Sequence, residues 1–271
     1  MNENINAIQM ELLQALKWLN DFCIENNIKY SLHGGTLLGA VREKGFIPWD
    51  DDADVTFTRT EFNRFESVLL DKEINNEVIY INNRRYPKIF FKRENKPAVW
   101  IDVFIYDSIS NNRVIQRIKK TILYYYLILL RSPNTFNIIE KTANYNSLLL
   151  FLMRMINKYG QHIPYEKRIE GGKRATQRFG GTGELIHRAN DQKSGINEIQ
   201  PSYVMSKYKM VPFEDTELMI SVFYDEILTK SYGKDYMTPK RKKNQEMSDT
   251  VVLSERKMAE KLFTEKEGNR K

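Results

Sequence analysis

The sequence contains one cysteine and three histidines among its 271 residues. Cys23 has no second cysteine with which to form a disulfide. Together with His33, His162 and His187 it also provides no cysteine–histidine cluster for a structural zinc ion. The composition therefore favours a reducing compartment, such as the cytoplasm.

Long hydrophobic runs are missing as well. The strongest candidate, TILYYYLILL at 121–130, has 10 residues, whereas a membrane-spanning helix needs about 20. The first residues, MNENINAIQM, lack the basic start and unbroken apolar stretch of a secretory signal. We therefore expect neither a transmembrane helix nor a signal peptide.

Acidic residues are outnumbered, with 35 Asp and Glu against 42 Lys and Arg, a net charge of +7. An excess of positive charge suggests an anionic partner, such as a nucleotide, a nucleic acid or a membrane surface. The sequence shows no RNA-recognition signature, zinc finger or arginine-rich low-complexity segment, so we do not expect nucleic acid to be the partner.

Hydrophobic periodicity predicts helices that alternate with strands. Residues 5–26 and 59–72 have helical spacing, residues 36–45 predict a short helix that follows a glycine turn, and DVTFT at 54–58 alternates like a strand. YPKIFFKRENKPAVWIDVFIYD predicts an antiparallel hairpin that turns at RENKP. Residues 111–160 are expected to be helical.

The segment GFIPWDDDADVTFTR, 45–59, places four aspartates where a strand begins. Residues i and i+2 of a strand point to the same side, so Asp52 and Asp54 would project together, with Cα atoms roughly 6–7 Å apart. Carboxylates are the ligands that Mg²⁺ or Mn²⁺ prefers. Asp102, on a neighbouring predicted strand, is the best candidate for a third ligand, and these three aspartates are the predicted metal-binding and catalytic residues.

An EF-hand and a solvated acidic loop are alternatives to this metal site. An EF-hand loop that begins at Asp50 would place Val55 at the sixth position, where the sharp turn requires glycine. A solvated acidic loop without a ligand accounts for Asp50 and Asp51, but it gives no reason for Asp54 inside an alternating strand.

HGGTLLGAVR, 33–42, is a candidate phosphate-binding segment. Gly34 and Gly35 permit close approach of the backbone, Thr36 could cap the following helix, and helix N-termini attract anions. Arg42 could pair with a phosphate. These four residues are the predicted substrate-binding set, although a Gly-Gly-Thr turn is often simply a turn.

LHGGTLLGAVREKGFIPWDDDADV resembles the signature of the LicD family, which includes bacterial phosphocholine transferases and is related to the fukutin-type phosphotransferases. VPFED and YDEILTKSYGKDYMTP are similar to that family's C-terminal signature, so the resemblance extends over about residues 10–240. It implies an α/β, nucleotidyltransferase-like fold with a short mixed sheet flanked by helices, plus a helical middle and C-terminal part. The expected organisation is a catalytic core at 1–110, a helical remainder of the same domain at 111–240 and a charged tail at 241–271.

The resemblance also implies an activity. Family members use a divalent cation, here expected to be Mg²⁺ or Mn²⁺, to transfer a phospho-substituted alcohol from a CDP-activated donor to a glycan with release of CMP. Phosphocholine is the first choice of group, and CDP-glycerol or CDP-ribitol are alternative donors. A nucleotidyltransferase that moves NMP from an NTP to a sugar or small molecule is the alternative enzyme, and a basic binding protein with a structural cation is a third possibility.

The expected partners are the CDP-alcohol and a glycan or lipid-linked glycan acceptor. The basic residues around the apolar run at 121–130 suggest peripheral attachment at the inner face of the cell membrane, although a buried core helix accounts for that run equally well. For the quaternary ammonium of choline, Trp49 and Tyr106 are the nearest aromatic candidates in the sequence. His33 is expected to be structural, and Asp50 and Asp51 to support the metal ligands.

Overall fold

The computed structural model describes five stretches of the chain, residues 5–72, 77–93, 96–132, 146–239 and 258–264. The chain divides into two compact units. Unit 1 comprises residues 1–81, 87–104 and 203–271, and unit 2 comprises residues 82–86 and 105–202.

A β-sheet forms the centre of unit 1, with strand order β1-β2-β5-β4-β3. Its strands are β1 (Ser31–Leu32), β2 (Asp54–Thr58), β3 (Val78–Ile81), β4 (Lys88–Arg93) and the first part of β5 (Lys96–Ile109). The helices of this unit include α1 (Ile5–Glu25), α2 (Gly34–Arg42) and α3 (Arg59–Asp71).

The chain returns to unit 1 after residue 202. It forms the antiparallel hairpin β8 (Tyr208–Phe213) and β9 (Thr216–Ser221), then helix α8 (Tyr224–Tyr232). Residues 258–264 form helix α9. Ala259 and Phe263 of α9 are buried beside Ile81 and Phe90 of the sheet.

Simple local patterns account for the elements that carry the site. On β2, Val55 and Phe57 are fully buried, as their alternation predicts. The hydroxyl of Thr58 accepts a hydrogen bond from the Glu61 backbone N–H and caps α3, so the strand passes directly into that helix. Phe65 of α3 stacks on Phe57 with ring centroids 5.0 Å apart, which fixes the helix against the strand.

Unit 2 combines helices with the second part of β5. Its other elements are α4 (Arg113–Leu129), α5 (Ser147–Gln161), α6 (Tyr165–Gln177), β6 (Leu185–Arg188), α7 (Lys193–Asn197) and β7 (Gln200–Pro201). β6 pairs antiparallel with β5, from Tyr106 opposite Arg188 to Ile109 opposite Leu185. α4 packs against α5, α6 and α7.

The predicted α/β class, with a short mixed sheet flanked by helices, is confirmed. Most predicted elements of unit 1 are confirmed too, including the strand at 54–58 and the hairpin of β4 and β5. The short second helix differs: it covers Gly34–Arg42 instead of 36–45, and the left-handed residue after it is Lys44, with φ 59°, not Gly45. The domain boundaries at 110 and 240 stay predictions, and most of the tail at 241–271 lies outside the described residues.

Candidate active site

The start of α2 is joined to the start of β2 by two hydrogen bonds. The backbone N–H of His33 donates to the Asp54 carbonyl (2.9 Å), and the backbone N–H of Asp54 donates to the Thr36 hydroxyl (2.9 Å). Thr36 is buried and does not cap α2, because its hydroxyl holds the strand instead. The glycine turn and the aspartate strand therefore form one structural unit.

Gly34 and Gly35 lie directly against two of the aspartates. A Cβ atom at Gly34 would be 2.7 Å from Oδ2 of Asp54, and one at Gly35 would be 2.4 Å from Oδ2 of Asp50. Gly34 also has φ 56°, a left-handed conformation that favours glycine. The two glycines thus make room for carboxylates beside the N-terminus of α2, where the helix dipole stabilises negative charge.

Asp102 reaches the same place from β5. Its backbone N–H donates to the carbonyl of Ala53 (2.9 Å), the residue between Asp52 and Asp54. The structure therefore brings the three predicted catalytic aspartates together on adjacent segments of unit 1. Lys88 lies opposite Asp102 in the β4–β5 register and forms an ion pair with its carboxylate.

Asp50, Asp52 and Asp54 have raised pKa values. Desolvation by the surrounding protein is the main cause, and it raises the pKa of Asp50 to about 6. The pKa values of Asp52 and Asp54 lie well above the usual range for the same reason, with further repulsion from Asp50 and Asp102. Lys88 acts in the opposite direction on the pKa of Asp54. The cluster holds more negative charge than its surroundings stabilise.

The donor set has the chemistry that a hard divalent cation requires, since carboxylate oxygens are its preferred ligands and a cation would offset both their burial and their mutual repulsion. Within the described stretches, no three His, Cys, Asp or Glu side chains already stand at metal-binding distances. Metal binding by Asp52, Asp54 and Asp102 stays a prediction.

Arg42 lies at the opposite end of α2 from the glycines. Its Nε donates to Glu43 (2.7 Å), and its Nη1 reaches the carbonyl of Tyr236 (3.5 Å). The Tyr236 hydroxyl in turn donates to Asp225 of α8 (2.6 Å). The structure therefore joins Arg42 to the YGKDYM segment and does not bring it to the N-terminus of α2, and its role in substrate binding stays a prediction.

The aromatic candidates are placed differently from each other. Trp49 is partly exposed, at 37%. Tyr106 is buried in unit 2, its ring lies 5.8 Å from the Arg188 guanidinium, and its hydroxyl accepts a hydrogen bond from that residue. Tyr106 is thus a core residue and does not offer a free face to a quaternary ammonium group. The ring of His33 packs against Phe104, 4.7 Å between centroids, and is buried.

Two residues near the site were missed by the sequence analysis. Gln9 of α1 donates from Nε2 to the carbonyls of Ile47 (2.9 Å) and Asp50 (2.8 Å), and so holds the acidic loop. Lys88 is the other. The signal that could have revealed it is a lysine within the first predicted strand of the hairpin, whose second strand carries Asp102.

Comparison with known proteins is consistent with this site. Residues 27–127 match the family model described as LicD/FKTN/FKRP, nucleotidyltransferase domain. That range includes Gly34, Asp52, Asp54, Lys88 and Asp102. The resemblance predicted from the sequence is confirmed for residues 27–127, which are similar to the nucleotidyltransferase domain of the LicD family.

Among curated proteins, the chain is similar to the lipopolysaccharide cholinephosphotransferase LicD of Haemophilus influenzae. The two are 37% identical over 117 residues, which is 38% of this chain and 44% of that protein. An uncharacterized protein of Rickettsia typhi is 34% identical over 110 residues, or 38% of this chain and 35% of its own length. An uncharacterized protein of Rickettsia prowazekii is 40% identical over 60 residues, or 22% and 23%. The chain thus spans less than half the length of these relatives.

No helix in the described stretches combines the length and apolar character that crossing a bilayer would require.

Proposed function

We propose that this chain is a metal-dependent transferase that moves phosphocholine from a CDP-activated donor to a cell-surface or capsular glycan, with release of CMP. The observation that carries the proposal is the convergence of Asp52, Asp54 and Asp102 beside the N-terminus of α2 within the segment that matches the LicD family model. A cytoplasmic setting goes with this proposal, because Cys23 is a free, buried thiol.

A Mg²⁺ or Mn²⁺ ion held by these three aspartates would supply charge neutralisation at the donor diphosphate. The protein's own groups contribute in two further ways. The backbone amides at the start of α2 and the Lys88 ammonium present positive charge to phosphate oxygens. One of the aspartates would also accept the proton of the acceptor hydroxyl as a general base.

The choice of phosphocholine rests on the relative from Haemophilus influenzae, whose name states cholinephosphotransferase activity on lipopolysaccharide. CDP-glycerol and CDP-ribitol are the alternative donors, because the aspartates would contact the diphosphate common to all three. A glycan, either free or linked to a lipid carrier, is the proposed acceptor.

A second candidate is a nucleotidyltransferase that transfers NMP from an NTP to a sugar or small molecule. The description of the matched family model as a nucleotidyltransferase domain favours it. The two candidates differ in the bond that breaks, and therefore in the leaving group.

The leaving group provides the test. Purified protein is incubated with Mg²⁺, a glycan acceptor and, in parallel, CDP-choline, CDP-glycerol, CDP-ribitol or NTPs, and both CMP and pyrophosphate are measured. We expect acceptor-dependent CMP formation from CDP-choline. Asp54→Asn should abolish it, while Asp71→Asn, an exposed change at the end of α3, should not. Pyrophosphate released from an NTP would instead establish the second candidate.

A further inference from the structure

Helix α5 exposes a continuous apolar face. Leu148, Leu152, Met155 and Tyr159 follow one another at positions i, i+4, i+7 and i+11, which places them on one side of the helix. Their exposed fractions are 69%, 50%, 52% and 58%, and Phe151 on the same side is 53% exposed. We call these five residues the α5 face. So many large apolar groups on one exposed face mark an interaction surface.

The opposite side of α5 fixes the direction in which this face points. Nδ2 of Asn157 donates to the carbonyls of Ile128 and Arg131, each at 2.9 Å. A Cβ at Gly160 would be 2.9 Å from the Leu129 carbonyl, so the glycine lets the helix approach the end of α4 closely. α5 is therefore anchored on α4 through its buried side, and the α5 face points away from that contact.

Positive charge is concentrated in the same unit. Unit 2 carries 17 Lys and Arg against 7 Asp and Glu, a net charge of +10, whereas the rest of the chain carries 25 against 28, or −3. α5 itself contains no acidic residue, and Arg154 and Lys158 are exposed beside the apolar face. The occupant of this surface should be both apolar and negatively charged.

We propose that the α5 face seats unit 2 on an anionic lipid bilayer, with the helix lying in the head-group region. A helix of 15 residues is about 22 Å long, shorter than the roughly 30 Å hydrocarbon core, so it lies in the interface and does not span it. Nucleic acid would leave the apolar side chains uncovered. A second copy of unit 2 would bring two +10 charges together.

This proposal places the membrane-binding surface on α5 instead of on the segment 121–130 that the sequence suggested. On α4, Leu123, Leu127 and Leu129 are buried, so that apolar run contributes to the core of unit 2. The proposal does not rest on the transferase activity, and its test contains no activity measurement.

Flotation with lipid vesicles tests the proposal. We expect the wild type to float with vesicles of phosphatidylcholine and phosphatidylglycerol, to float poorly with phosphatidylcholine alone, and to bind less as salt increases. Leu148→Asp with Leu152→Asp should weaken binding by about a hundredfold, since each leucine that loses its apolar contact accounts for about tenfold. The matched control is Leu70→Asp with Met10→Asp, at residues of unit 1 that are 68% and 64% exposed.

A second measurement reports insertion directly. Cys23 is buried, and burial raises the pKa of its thiol, so an introduced cysteine is the one that reacts with an environment-sensitive fluorophore. On addition of anionic vesicles, the labelled Leu152→Cys variant should show a blue shift and the labelled Leu70→Cys variant should not.

Three results would overturn the proposal. The first is a wild type that does not float with anionic vesicles at low salt. The second is an α5 double variant that has an unchanged circular dichroism melt and floats as well as the wild type. The third is a wild-type dimer, seen in sedimentation velocity without lipid, that the α5 variant dissociates, because a second copy would then cover the face.

Discussion

At the scale of single residues, Lys88 connects the aspartate cluster to the rest of the sheet. It is buried, its ammonium pairs with Asp102 and lies 5.2 Å from the Trp100 ring, and it lowers the pKa of Asp54. A cation at this position repels a metal ion but attracts the phosphates of a donor. Removing the charge of Lys88 should therefore strengthen metal binding and weaken donor binding, so a single substitution distinguishes the two effects.

We expect Lys88→Met to bind Mn²⁺ alone about tenfold more tightly and CDP-choline about tenfold more weakly, each on the order of 1 kcal/mol. Methionine preserves the apolar stem but removes the charge. Isothermal titration calorimetry measures both affinities. Lys92→Met, an exposed lysine of the same strand, should change neither. An unchanged Mn²⁺ affinity in Lys88→Met would show that this residue does not act on the metal site.

His187 predicts a pH dependence of stability. It is fully buried in unit 2, and its Nδ1 lies 2.9 Å from the Ile196 carbonyl. Burial, followed by the charge of Lys119, lowers its pKa from 6.5 to about 3. The unfolded chain takes up a proton below pH 6.5 and the folded chain does not, so this contribution is complete above pH 6.5 and is lost as the pH falls towards 3.

Between about pH 7 and pH 5, the titration of His187 should cost the wild type about 2 kcal/mol of unfolding free energy. His187→Gln should lack that part of the pH dependence, whatever its stability at neutral pH. Urea unfolding at the two pH values measures it, and His162→Gln, at an exposed histidine, should behave like the wild type. Equal slopes for wild type and His187→Gln would contradict the prediction.

At the scale of elements, the turn into α2 depends on Gly34. Gly34 has a left-handed φ of 56°, and Gly183, in a turn of unit 2, has φ 83°. The surroundings differ, because a Cβ at Gly183 would meet nothing within 4 Å, whereas one at Gly34 would be 2.7 Å from the Asp54 carboxylate. Substituting each glycine by alanine therefore distinguishes two effects: both substitutions strain the backbone, but only the one at Gly34 also displaces an aspartate.

Gly34→Ala and Gly183→Ala should each lose about 1–2 kcal/mol of stability from the left-handed backbone. Only Gly34→Ala should also lose Mn²⁺ binding, because its methyl group displaces Asp54. Urea unfolding and calorimetry measure the two effects. Wild-type Mn²⁺ affinity in Gly34→Ala would mean that the position of Asp54 is not important for the metal.

At the scale of the whole molecule, the aspartate cluster should lower the stability of the folded chain without a cation and raise it when a cation binds. Raised pKa values mean that charged Asp52 and Asp54 destabilise the folded chain when no cation is bound. A ligand that binds only the folded state restores stability, by about 2.7 kcal/mol at a concentration roughly one hundred times its Kd.

Asp54→Asn should therefore have a higher Tm than the wild type in the presence of a chelator and a lower Tm in saturating Mn²⁺. Thermal unfolding followed by circular dichroism tests both signs in one experiment. Asp71→Asn, outside the cluster, serves as the control and should follow the wild type. A wild-type Tm that Mn²⁺ does not change would leave the cluster without a metal-binding role.

The sequence by itself determined most elements of unit 1 and the spacing of the acidic pair. Periodicity of two placed Val55 and Phe57 on the same side of β2, and helical spacing from residue 59 predicted α3. These features depend on neighbours along the chain, so they can be inferred from the local pattern. The same holds for the two-dozen-residue segment that resembles the LicD family.

Only the tertiary structure decided which distant residues meet. The β4–β5 register places Lys88 opposite Asp102, and a hydrogen bond to Ala53 brings that aspartate to the pair on β2. The sequence also suggested α4 as the apolar surface, but the packing of α4 against α5, α6 and α7 buries its leucines and leaves α5 exposed. Two amphipathic helices have similar patterns, and only their packing partners decide which apolar face is covered.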